Sequence, residues 1–270
     1  MSKVAAPHSS ASATAPSAIL EARGIVKRYG HVEALRGADF AAYPGEITAL
    51  IGDNGAGKST LVKILSGAIK PTSGEILIDG QPVSFASPSD AHANGLETVY
   101  QDLSVAPDLS PAANMFMGRE RLLPGWRGRL GFLDNDAMRR ESAEAFQRLQ
   151  VSLKDMDTPI SSLSGGQRQS VAICRAIMWT KRVVFMDEPT AALGVVQTAR
   201  TLELIRRIRE TGVAIVLISH NMRDVLEVAD NIEVLRLGRR IARLRNDGLS
   251  VQDLVGAMTG ALDERTEAAA

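Results

Sequence analysis

A short glycine-rich run places the strongest constraint on how this chain can fold. Residues 52–60 read Gly-Asp-Asn-Gly-Ala-Gly-Lys-Ser-Thr, which fits the phosphate-loop pattern G-x-x-x-x-G-K-[S/T]. Such a loop needs a strand before it and a helix after it, because its backbone N–H groups must point together at one anion. The run therefore predicts a strand–loop–helix unit that holds a polyphosphate.

The sequence on both sides of the run supplies the two flanking elements. Residues 47–51 are apolar enough for a strand that is buried on both faces. Leu61, Ile64 and Leu65 have helical spacing within residues 58–67. The alternative is an ordinary glycine-rich turn before a helix, and the agreement of every fixed position with both flanking elements counts against it.

Each loop residue suggests its own contribution to phosphate chemistry. Gly52, Gly55 and Gly57 let the backbone approach the phosphates, and the helix beginning near Lys58 presents its first N–H groups. The Lys58 ammonium can reach the β- and γ-phosphates, and the Ser59 hydroxyl can bind Mg²⁺. These residues predict a site for ATP with its magnesium ion.

Two carboxylates follow another apolar run. Residues 183–186 read Val-Val-Phe-Met and lead directly into Asp187 and Glu188. At the end of a buried strand, this pair would lie where an α/β sheet opens toward its ligand. We expect Asp187 to hold the magnesium shell and Glu188 to polarise the attacking water. An acidic pair at a strand end is also common as a solvated turn, so this interpretation depends on the phosphate loop.

One histidine has a comparable position. His220 follows the apolar strand predicted at residues 213–219, and we expect it to donate a hydrogen bond to the γ-phosphate or to the attacking water. A structural role is the alternative. The other histidines, His8, His31 and His92, have no such context and receive no role.

The remaining pattern predicts an α/β fold. Helices alternate with apolar strands in the second half of the chain, which indicates a parallel sheet covered on both faces. Strands are predicted at 19–23, 34–42, 74–80, 96–100, 182–186 and 213–219, helices at 166–178, 195–211, 222–228 and 251–258, and a hairpin from 232–237 and 240–244. Residues from about 103 to 165 contain several prolines and glycines, a basic stretch at 119–129 and an amphipathic helix at 135–150, and they predict a mostly helical insertion.

Composition limits the possible functions. Lysine plus arginine (31) balance aspartate plus glutamate (31), so no global positive field favours nucleic acid or anionic lipid. No apolar window is long enough to cross a membrane, and the single cysteine, Cys174, reads as a small buried apolar residue. Residues 1–18 lack a secretory signal and read as a disordered tail, and residues 263–270 read as a frayed end.

The run Leu163-Ser164-Gly165-Gly166-Gln167 resembles the signature sequence of the ATP-binding cassette ATPases. The resemblance covers about residues 19–260, and we predict one ATPase domain over residues 19–262 with a helical insertion at about 103–165. It implies a P-loop NTPase core with a mostly parallel sheet, an N-terminal antiparallel β subdomain and a helical insertion subdomain. It also implies two chains that sandwich two ATP molecules, each held by the phosphate loop of one chain and the signature of the other. A helix N-terminus at Ser164 suits such an anion, although a serine-capped helix without a ligand is the alternative.

The resemblance assigns further roles residue by residue. Tyr29 looks like the aromatic residue that stacks on adenine, with a packed surface tyrosine as the alternative. Gln101 resembles the glutamine that touches Mg²⁺ or the water and joins the core to the insertion. The implied ATP contacts are Tyr29, Gly52, Asn54, Gly55, Gly57, Lys58, Ser59, Thr60, Ser164, Gly165, Gly166 and Gln167; the metal positions are Ser59, Gln101 and Asp187; the catalytic positions are Glu188, His220 and Gln101.

One position departs from the family pattern. Where the wider family has an aspartate after Ala-Leu, this chain has Gly194 after Leu193. The resemblance implies a cross-dimer contact made by this carboxylate, and Gly194 has no side chain to make it.

Residues 51–63 and Ser219-His220-Asn221-Met222 resemble the carbohydrate importers of the ribose and fructose type. A single phosphate loop and a single signature are similar to the single-cassette fructose-type members, which implies a homodimer. The resemblance further implies two integral-membrane permeases, a periplasmic sugar-binding protein, no nucleic acid, and a peripheral position on the cytoplasmic face of the inner membrane. Three alternatives stay open: a cassette ATPase for another substrate, a cassette protein acting on ribosomes or DNA, and a small-molecule kinase.

Overall fold

The computed structural model describes residues 17–153 and 155–261. The predicted disordered tail, residues 1–18, lies outside the described residues except for 17 and 18, and the predicted frayed end, residues 263–270, lies wholly outside them. The strands are β1 (Leu20–Tyr29), β2 (Val32–Ala42), β3 (Ile47–Ile51), β4 (Ser73–Ile78), β5 (Gln81–Val83), β6 (Leu96–Val99), β7 (Val183–Asp187), β8 (Ala214–Ile218), β9 (Asn231–Arg236) and β10 (Arg239–Arg245). The helices are α1 (Lys58–Leu65), α2 (Pro88–Ala93), α3 (Pro111–Met115), α4 (Trp126–Arg129), α5 (Asn135–Arg148), α6 (Gly165–Trp179), α7 (Val195–Glu210), α8 (Met222–Val228) and α9 (Val251–Thr259).

A six-stranded sheet forms the centre of the molecule, with the strand order β10-β9-β3-β8-β7-β6. All neighbouring pairs are parallel except β9 and β10, which form the predicted hairpin. Every residue of β3 and β8 is buried, because helices α6, α7 and α8 cover one face of the sheet, and α1 together with an antiparallel sheet covers the other. Ile218 pairs with Leu50 on one side and with Asp187 on the other, so β3, β8 and β7 end at the same edge.

A second sheet is antiparallel and has four strands in the order β2-β1-β4-β5. It confirms the predicted N-terminal β subdomain, and it shares a hydrophobic core with α1. The first strand is longer than the predicted 19–23 and runs to Tyr29, because Gly24 takes a positive φ of 58° at an irregularity and lets the strand continue. The short strand β5 and helix α2 were not predicted.

The insertion contains α3, α4, α5 and a 3₁₀ turn at Ile160–Ser162, joined by turns and loops. The description "mostly helical" is therefore too strong for the described part of this segment, because its prolines and glycines end the helices early. The insertion packs on α6 through Phe116 and Trp179, whose rings meet edge to face at 5.6 Å. The predicted burial of Cys174 on α6 is confirmed, and burial raises the pKa of its thiol.

No helix in the described ranges is both long enough and apolar enough to span a lipid bilayer.

Candidate active site

The phosphate-loop residues connect β3 to α1, as the sequence predicts. Gly52 follows the last residue of β3, and Gly57 precedes Lys58 at the start of α1. A Cβ atom at Gly52 would lie 2.1 Å from the carbonyl oxygen of Leu235, and one at Gly57 would lie 2.7 Å from Cδ2 of Leu35. Both glycines also have positive φ, at 148° and 105°. Close packing of the loop on β9 and β2 therefore requires glycine at these two positions.

The Lys58 side chain lies across the loop. Its Nζ donates to the carbonyl oxygens of Gly52 at 2.6 Å and Asp53 at 3.1 Å. Burial lowers the pKa of this lysine, and the nearby charges of Glu188, Asp53 and Asp187 oppose that effect. The ammonium group is therefore half-buried and lies against the loop, within reach of a phosphate bound there.

The loop and the start of α1 fit a polyphosphate. Asn54, Gly55 and Ser59 are exposed, and a Cβ atom at Gly55 would meet nothing within 4 Å. The first turn of α1, which includes Ser59 and Thr60, contains no acidic residue. The positive end of the helix dipole and its unpaired N–H groups are therefore available to an anion.

The two carboxylates lie at the end of β7, close to the loop lysine. Asp187 is the last residue of the strand, and the Glu188 backbone N–H donates to the Ile218 carbonyl oxygen at 2.9 Å. Burial raises the pKa of Asp187, the charge of Glu188 raises it further, and Lys58 and Lys63 oppose the shift. The predicted meeting of the phosphate loop with the acidic pair is thus present in the structure.

Glu188 has an unusual backbone conformation. Its φ is +50°, which is uncommon for a residue with a side chain and indicates a constrained turn. The turn aims the carboxylate at the end of β8. There Glu188 Oε1 accepts from the backbone N–H of His220 at 3.1 Å and lies 2.7 Å from His220 Nδ1.

The contact with Glu188 fixes the chemistry of His220. When Glu188 is ionised, Nδ1 must be the donor, so Nε2 of a neutral ring is an acceptor. The predicted donation from His220 to a γ-phosphate or to water therefore needs a doubly protonated ring or a flipped one. The histidine side chain is 74% exposed and can reach a ligand in the site.

Sequence reasoning missed a pair that supports this arrangement. Thr190 Oγ1 donates to Oδ2 of the buried Asp224 at 2.7 Å, which ties the turn after Glu188 to α8. The same helix begins at Met222, and Asn221, directly after His220, is its N-cap. The only sequence signal was an acidic residue in the first turn of a helix, which is a common feature without functional meaning.

Gln101 and Tyr29 lie where their predicted roles need them to be accessible. Strand β6 ends at Val99, one residue earlier than predicted, so exposed Gln101 lies in the turn that begins the insertion. Val99 pairs with Met186, so this turn starts at the same sheet edge as the acidic pair. Tyr29 ends β1 with an exposed ring, and Lys27 Nζ lies 5.3 Å from the ring centroid.

The signature residues form the N-terminus of α6. Ser164 Oγ accepts from the Gln167 N–H at 3.3 Å, and Gln167 Oε1 accepts from the Ser164 N–H at 3.0 Å. This capping box is what the alternative interpretation, a serine-capped helix without a ligand, predicts. Gly165 and Gly166 are the first helical residues, and N–H groups at this position have no partner within the helix.

The signature lies apart from the phosphate loop. It borders a cavity of about 840 Å³ between the insertion and α7, and the described lining of this cavity includes no phosphate-loop residue and neither Asp187 nor Glu188. Gly194 precedes α7 here, and a Cβ atom on it would lie 2.7 Å from Oε1 of Gln197. An aspartate at this position would have to displace Gln197.

The acidic and histidine side chains do not form a metal site by themselves. Within residues 17–153 and 155–261, no group of three His, Cys, Asp or Glu residues is arranged to hold a metal ion. Ser59 and Asp187 could each supply one oxygen, which suits a Mg²⁺ ion that keeps waters and is shared with substrate phosphates.

Comparison with protein families and curated proteins agrees with this geometry. Residues 35–191 match the family model described as ABC transporter. The chain is 50% identical to the fructose import ATP-binding protein FrcA of Rhizobium meliloti over 93% of this chain and 98% of that protein. It is 42% identical to the xylose/arabinose import ATP-binding protein XylG of Sulfolobus acidocaldarius, over 90% of this chain and 94% of that protein. A ribose import ATP-binding protein, RbsA 2 of Escherichia coli O157:H7, is 43% identical, and the match spans 46% of its length.

Solved structures share the fold. An ATP-binding cassette of an ABC transporter in its ADP conformation superposes with a TM-score of 0.75 at 24% identity, over 90% of this chain and 95% of that one. The cbiO1 protein of Clostridium perfringens, part of the ABC transporter complex cbiONQ, has a TM-score of 0.73 at 26% identity, over 93% and 99% of the two chains.

Proposed function

The chain belongs to the ABC transporter family of ATP-binding proteins, and we propose that it is the ATP-hydrolysing subunit of a bacterial sugar importer. The observation that carries this proposal is the convergence of Lys58, Asp187 and Glu188 at one sheet edge. The carbohydrate assignment rests on the 50% identity with a fructose import ATP-binding protein along nearly the whole of both chains.

In the proposed complex, the phosphate loop binds the ATP phosphates and Tyr29 stacks on the adenine. The backbone between Gly52 and Thr60 supplies N–H donors, and Lys58 Nζ exchanges its two carbonyl contacts for phosphate oxygens. Mg²⁺, held by Ser59, Asp187 and Gln101 together with the phosphates, would neutralise charge on the transferring group.

Glu188 is the proposed base. Its carboxylate accepts a proton from the water that attacks the γ-phosphorus, while the bond from that phosphorus to the β–γ bridging oxygen breaks and ADP leaves. The backbone N–H of His220 and its Nδ1–H hold Oε1, which leaves Oε2 for the water. The constrained backbone of Glu188 keeps this carboxylate in one direction.

The complete site is proposed to need two copies of the chain. The signature at Ser164, Gly165 and Gly166 borders a different cavity from the phosphate loop, so one copy would supply the loop and the other the signature. Val195 and Val196 stand beside the signature with 88% and 60% of their surface exposed, which suits a face that another copy covers. ATP would thus shift the equilibrium toward the closed dimer, and hydrolysis would reopen it.

The proposed partners are two integral-membrane permeases, with a periplasmic sugar-binding protein on the far side and no nucleic acid. The subunit would lie on the cytoplasmic face of the inner membrane and pass its motion to the permeases through the turn at Gln101 and the following residues to Gly118. The exposed position of Gln101, between the catalytic edge and the insertion, supports this path.

Reconstitution tests the proposal. The chain, its permeases and the sugar-binding protein are placed in proteoliposomes with ATP on the side of the chain, and uptake of labelled fructose, ribose and xylose is measured. We expect uptake of one sugar that requires ATP and disappears with Glu188→Gln. ATP-dependent movement of a non-sugar solute instead, or active ATPase that never couples to the permeases, would contradict the importer assignment.

A further inference from the structure

A short segment of the insertion exposes a concentration of large apolar side chains that the proposed function does not use. Fifteen large hydrophobic residues are exposed in the described chain, and five of them lie within residues 121–133, here termed the flap. They are Leu122, Trp126, Leu130, Phe132 and Leu133. Single exposed apolar residues are ordinary, whereas a cluster of them marks a contact surface.

The flap is a closed loop whose ends are tied together. Leu122 and Leu133 form an antiparallel bridge, and the Leu123 N–H donates to the Phe132 carbonyl oxygen at 2.9 Å. The Asp134 N–H donates to the Arg121 carbonyl oxygen at 2.7 Å, which closes the base.

Within the flap, α4 and the residue that caps its end, Leu130, present two apolar side chains outward. Gly128 lets this turn pack directly on Leu123, since a Cβ atom there would lie 2.0 Å from the Leu123 carbonyl oxygen. Trp126 and Leu130 are four residues apart, joined by a backbone hydrogen bond of 3.2 Å, so they lie on the same side of the turn. Both side chains are 67% exposed. The fold therefore holds them in solvent instead of burying them.

The flap is also basic, in a chain whose total charge is balanced. Residues 121–133 contain Arg121, Arg127 and Arg129 and no acidic residue. Arg121 pairs with Glu141 at 3.0 Å, but neither Arg127 nor Arg129 forms an ion pair within the described residues. The Arg127 guanidinium lies 5.7 Å from the ring centroid of Trp126, so charge and aromatic surface occur together.

We propose that the flap binds the surface of an anionic lipid bilayer. Trp126, Leu130 and Phe132 enter the boundary between headgroups and acyl chains, and Arg127 and Arg129 contact lipid phosphates. The chemistry favours lipid because the segment combines a tryptophan, which prefers this interface, with apolar side chains and unpaired arginines. A protein partner would need an acidic apolar surface of matching shape.

The position of the flap agrees with contact to a lipid surface. Arg119, two residues before the flap, borders a groove together with Tyr100 and Trp179, beside the turn that contains Gln101. That turn is the proposed route to the permeases, so a docked subunit would hold the flap near the lipid around them. This one step rests on the proposed function, whereas the composition and exposure of the flap do not.

Vesicle binding by the isolated full-length chain tests the proposal. The chain is sedimented with vesicles of an equimolar phosphatidylglycerol and phosphatidylcholine mixture, and with vesicles of phosphatidylcholine alone. We expect binding to the anionic vesicles that weakens as salt is raised. The double variant Trp126→Ala/Leu130→Ala should bind at least ~10-fold more weakly, because the two most exposed inserting side chains are lost. Arg127→Gln/Arg129→Gln should lose about fivefold per arginine on anionic vesicles only.

The matched control is Leu237→Ala/Val255→Ala, which removes two exposed apolar side chains far from the flap in sequence. It should bind vesicles as the unaltered chain does. Trp126 fluorescence, obtained as the difference between the unaltered chain and Trp126→Phe, should move to shorter wavelength on binding. Melting temperatures and ATPase rates of all variants show that they are folded.

Three results would overturn the proposal. First, the unaltered chain could bind neither kind of vesicle. Second, Leu237→Ala/Val255→Ala could lose as much vesicle binding as Trp126→Ala/Leu130→Ala. Alternatively, flap substitutions could disrupt a permease complex in detergent, or self-association, while vesicle binding is unchanged, which would assign the flap to a protein contact. The vesicle assay contains neither permease nor sugar, so its failure leaves the importer proposal standing, and failure of sugar uptake leaves the vesicle result standing.

Discussion

Glu188 Oε1 lies 2.7 Å from His220 Nδ1 and 3.1 Å from the backbone nitrogen of the same histidine. The two residues follow neighbouring parallel strands, β7 and β8, whose ends the register places side by side. A donor from the backbone and one from the ring therefore hold the same carboxylate oxygen. This contact makes the carboxylate part of a fixed structure and not a mobile surface group.

Replacing Glu188 with glutamine tests its role as the base. Glu188→Gln preserves shape and removes the proton acceptor, so ATP binding should remain and turnover should fall by at least ~100-fold. The variant should form a stable dimer in the presence of ATP, measured by size-exclusion chromatography with light scattering. Turnover equal to that of the unaltered chain would remove Glu188 from this role.

Removing the His220 ring should separate orientation from binding. In His220→Ala the carboxylate keeps the backbone donor and loses Nδ1–H, so kcat should fall by roughly 10- to 100-fold with little change in the KM for ATP. The exposed His31 gives a control, His31→Ala, whose kcat should not change. A His220→Ala variant with a raised KM and normal kcat would indicate a ligand contact in place of an orienting role.

Gly52 and Gly55 offer a matched test of loop packing. Gly52→Ala should lower the free energy of unfolding by about 2–5 kcal/mol, because its Cβ would meet a backbone oxygen in addition to the strain of positive φ. Gly55→Ala has open space and should lose only about 1 kcal/mol from its φ of 82°. Urea unfolding measures both values. Equal losses would mean that the close approach to Leu235 does not limit the loop.

The ionised carboxylate of Asp187 should lower the free energy of unfolding, although ATPase activity should require it. Its folded-state pKa is raised from 3.8, mainly by burial, so the folded state binds protons more tightly than the unfolded state. The resulting loss of stability is fully present above the folded pKa and is relieved as the pH falls toward the unfolded value. Asp187→Asn should therefore be more stable than the unaltered chain at pH 7, with an advantage that shrinks at lower pH, and should lose ATPase activity.

Urea unfolding across pH checks this sign, with the exposed residue Asp108 as the control in Asp108→Asn. A less stable Asp187→Asn at pH 7 would contradict the prediction, since it would mean that the carboxylate is stabilised where it lies.

The sequence predicted well the sheet edge at which the phosphate loop and the acidic pair lie, because the signals for it are local. The phosphate loop, the strand ends at Asp187 and Ile218, and the helix after each of them depend on short-range patterns of glycines, apolar runs and the polar residues that end those runs. Register then follows, since parallel strands in one sheet must end at one edge. The meeting of Lys58 with the acidic pair is a consequence of these patterns.

The features that sequence did not reveal depend on distant parts of the chain. The Thr190–Asp224 hydrogen bond joins residues 34 positions apart, and nothing in the sequence around either residue predicts the pairing. The short β5 is held by its pairing with β4. Helix α2 is different, because its capping box of Ser87 with Asp90 and the proline in its first turn are local signals that the sequence reasoning overlooked. Exposure of Trp126 could not be read from sequence either, because a tryptophan in a short amphipathic stretch is more often buried.

The central claim is that ATP is hydrolysed at a site shared by two copies of the chain, and mixing two inactive variants tests it most directly. Lys58→Ala disables the phosphate loop, and Ser164→Arg blocks the signature. Each variant alone should be inactive, while an equal mixture should recover about a quarter of the unaltered ATPase rate, because half of the symmetric dimers are mixed and each has one intact site. Two results together would contradict the account. The mixture would stay inactive, and the specific activity of the unaltered chain would not depend on protein concentration.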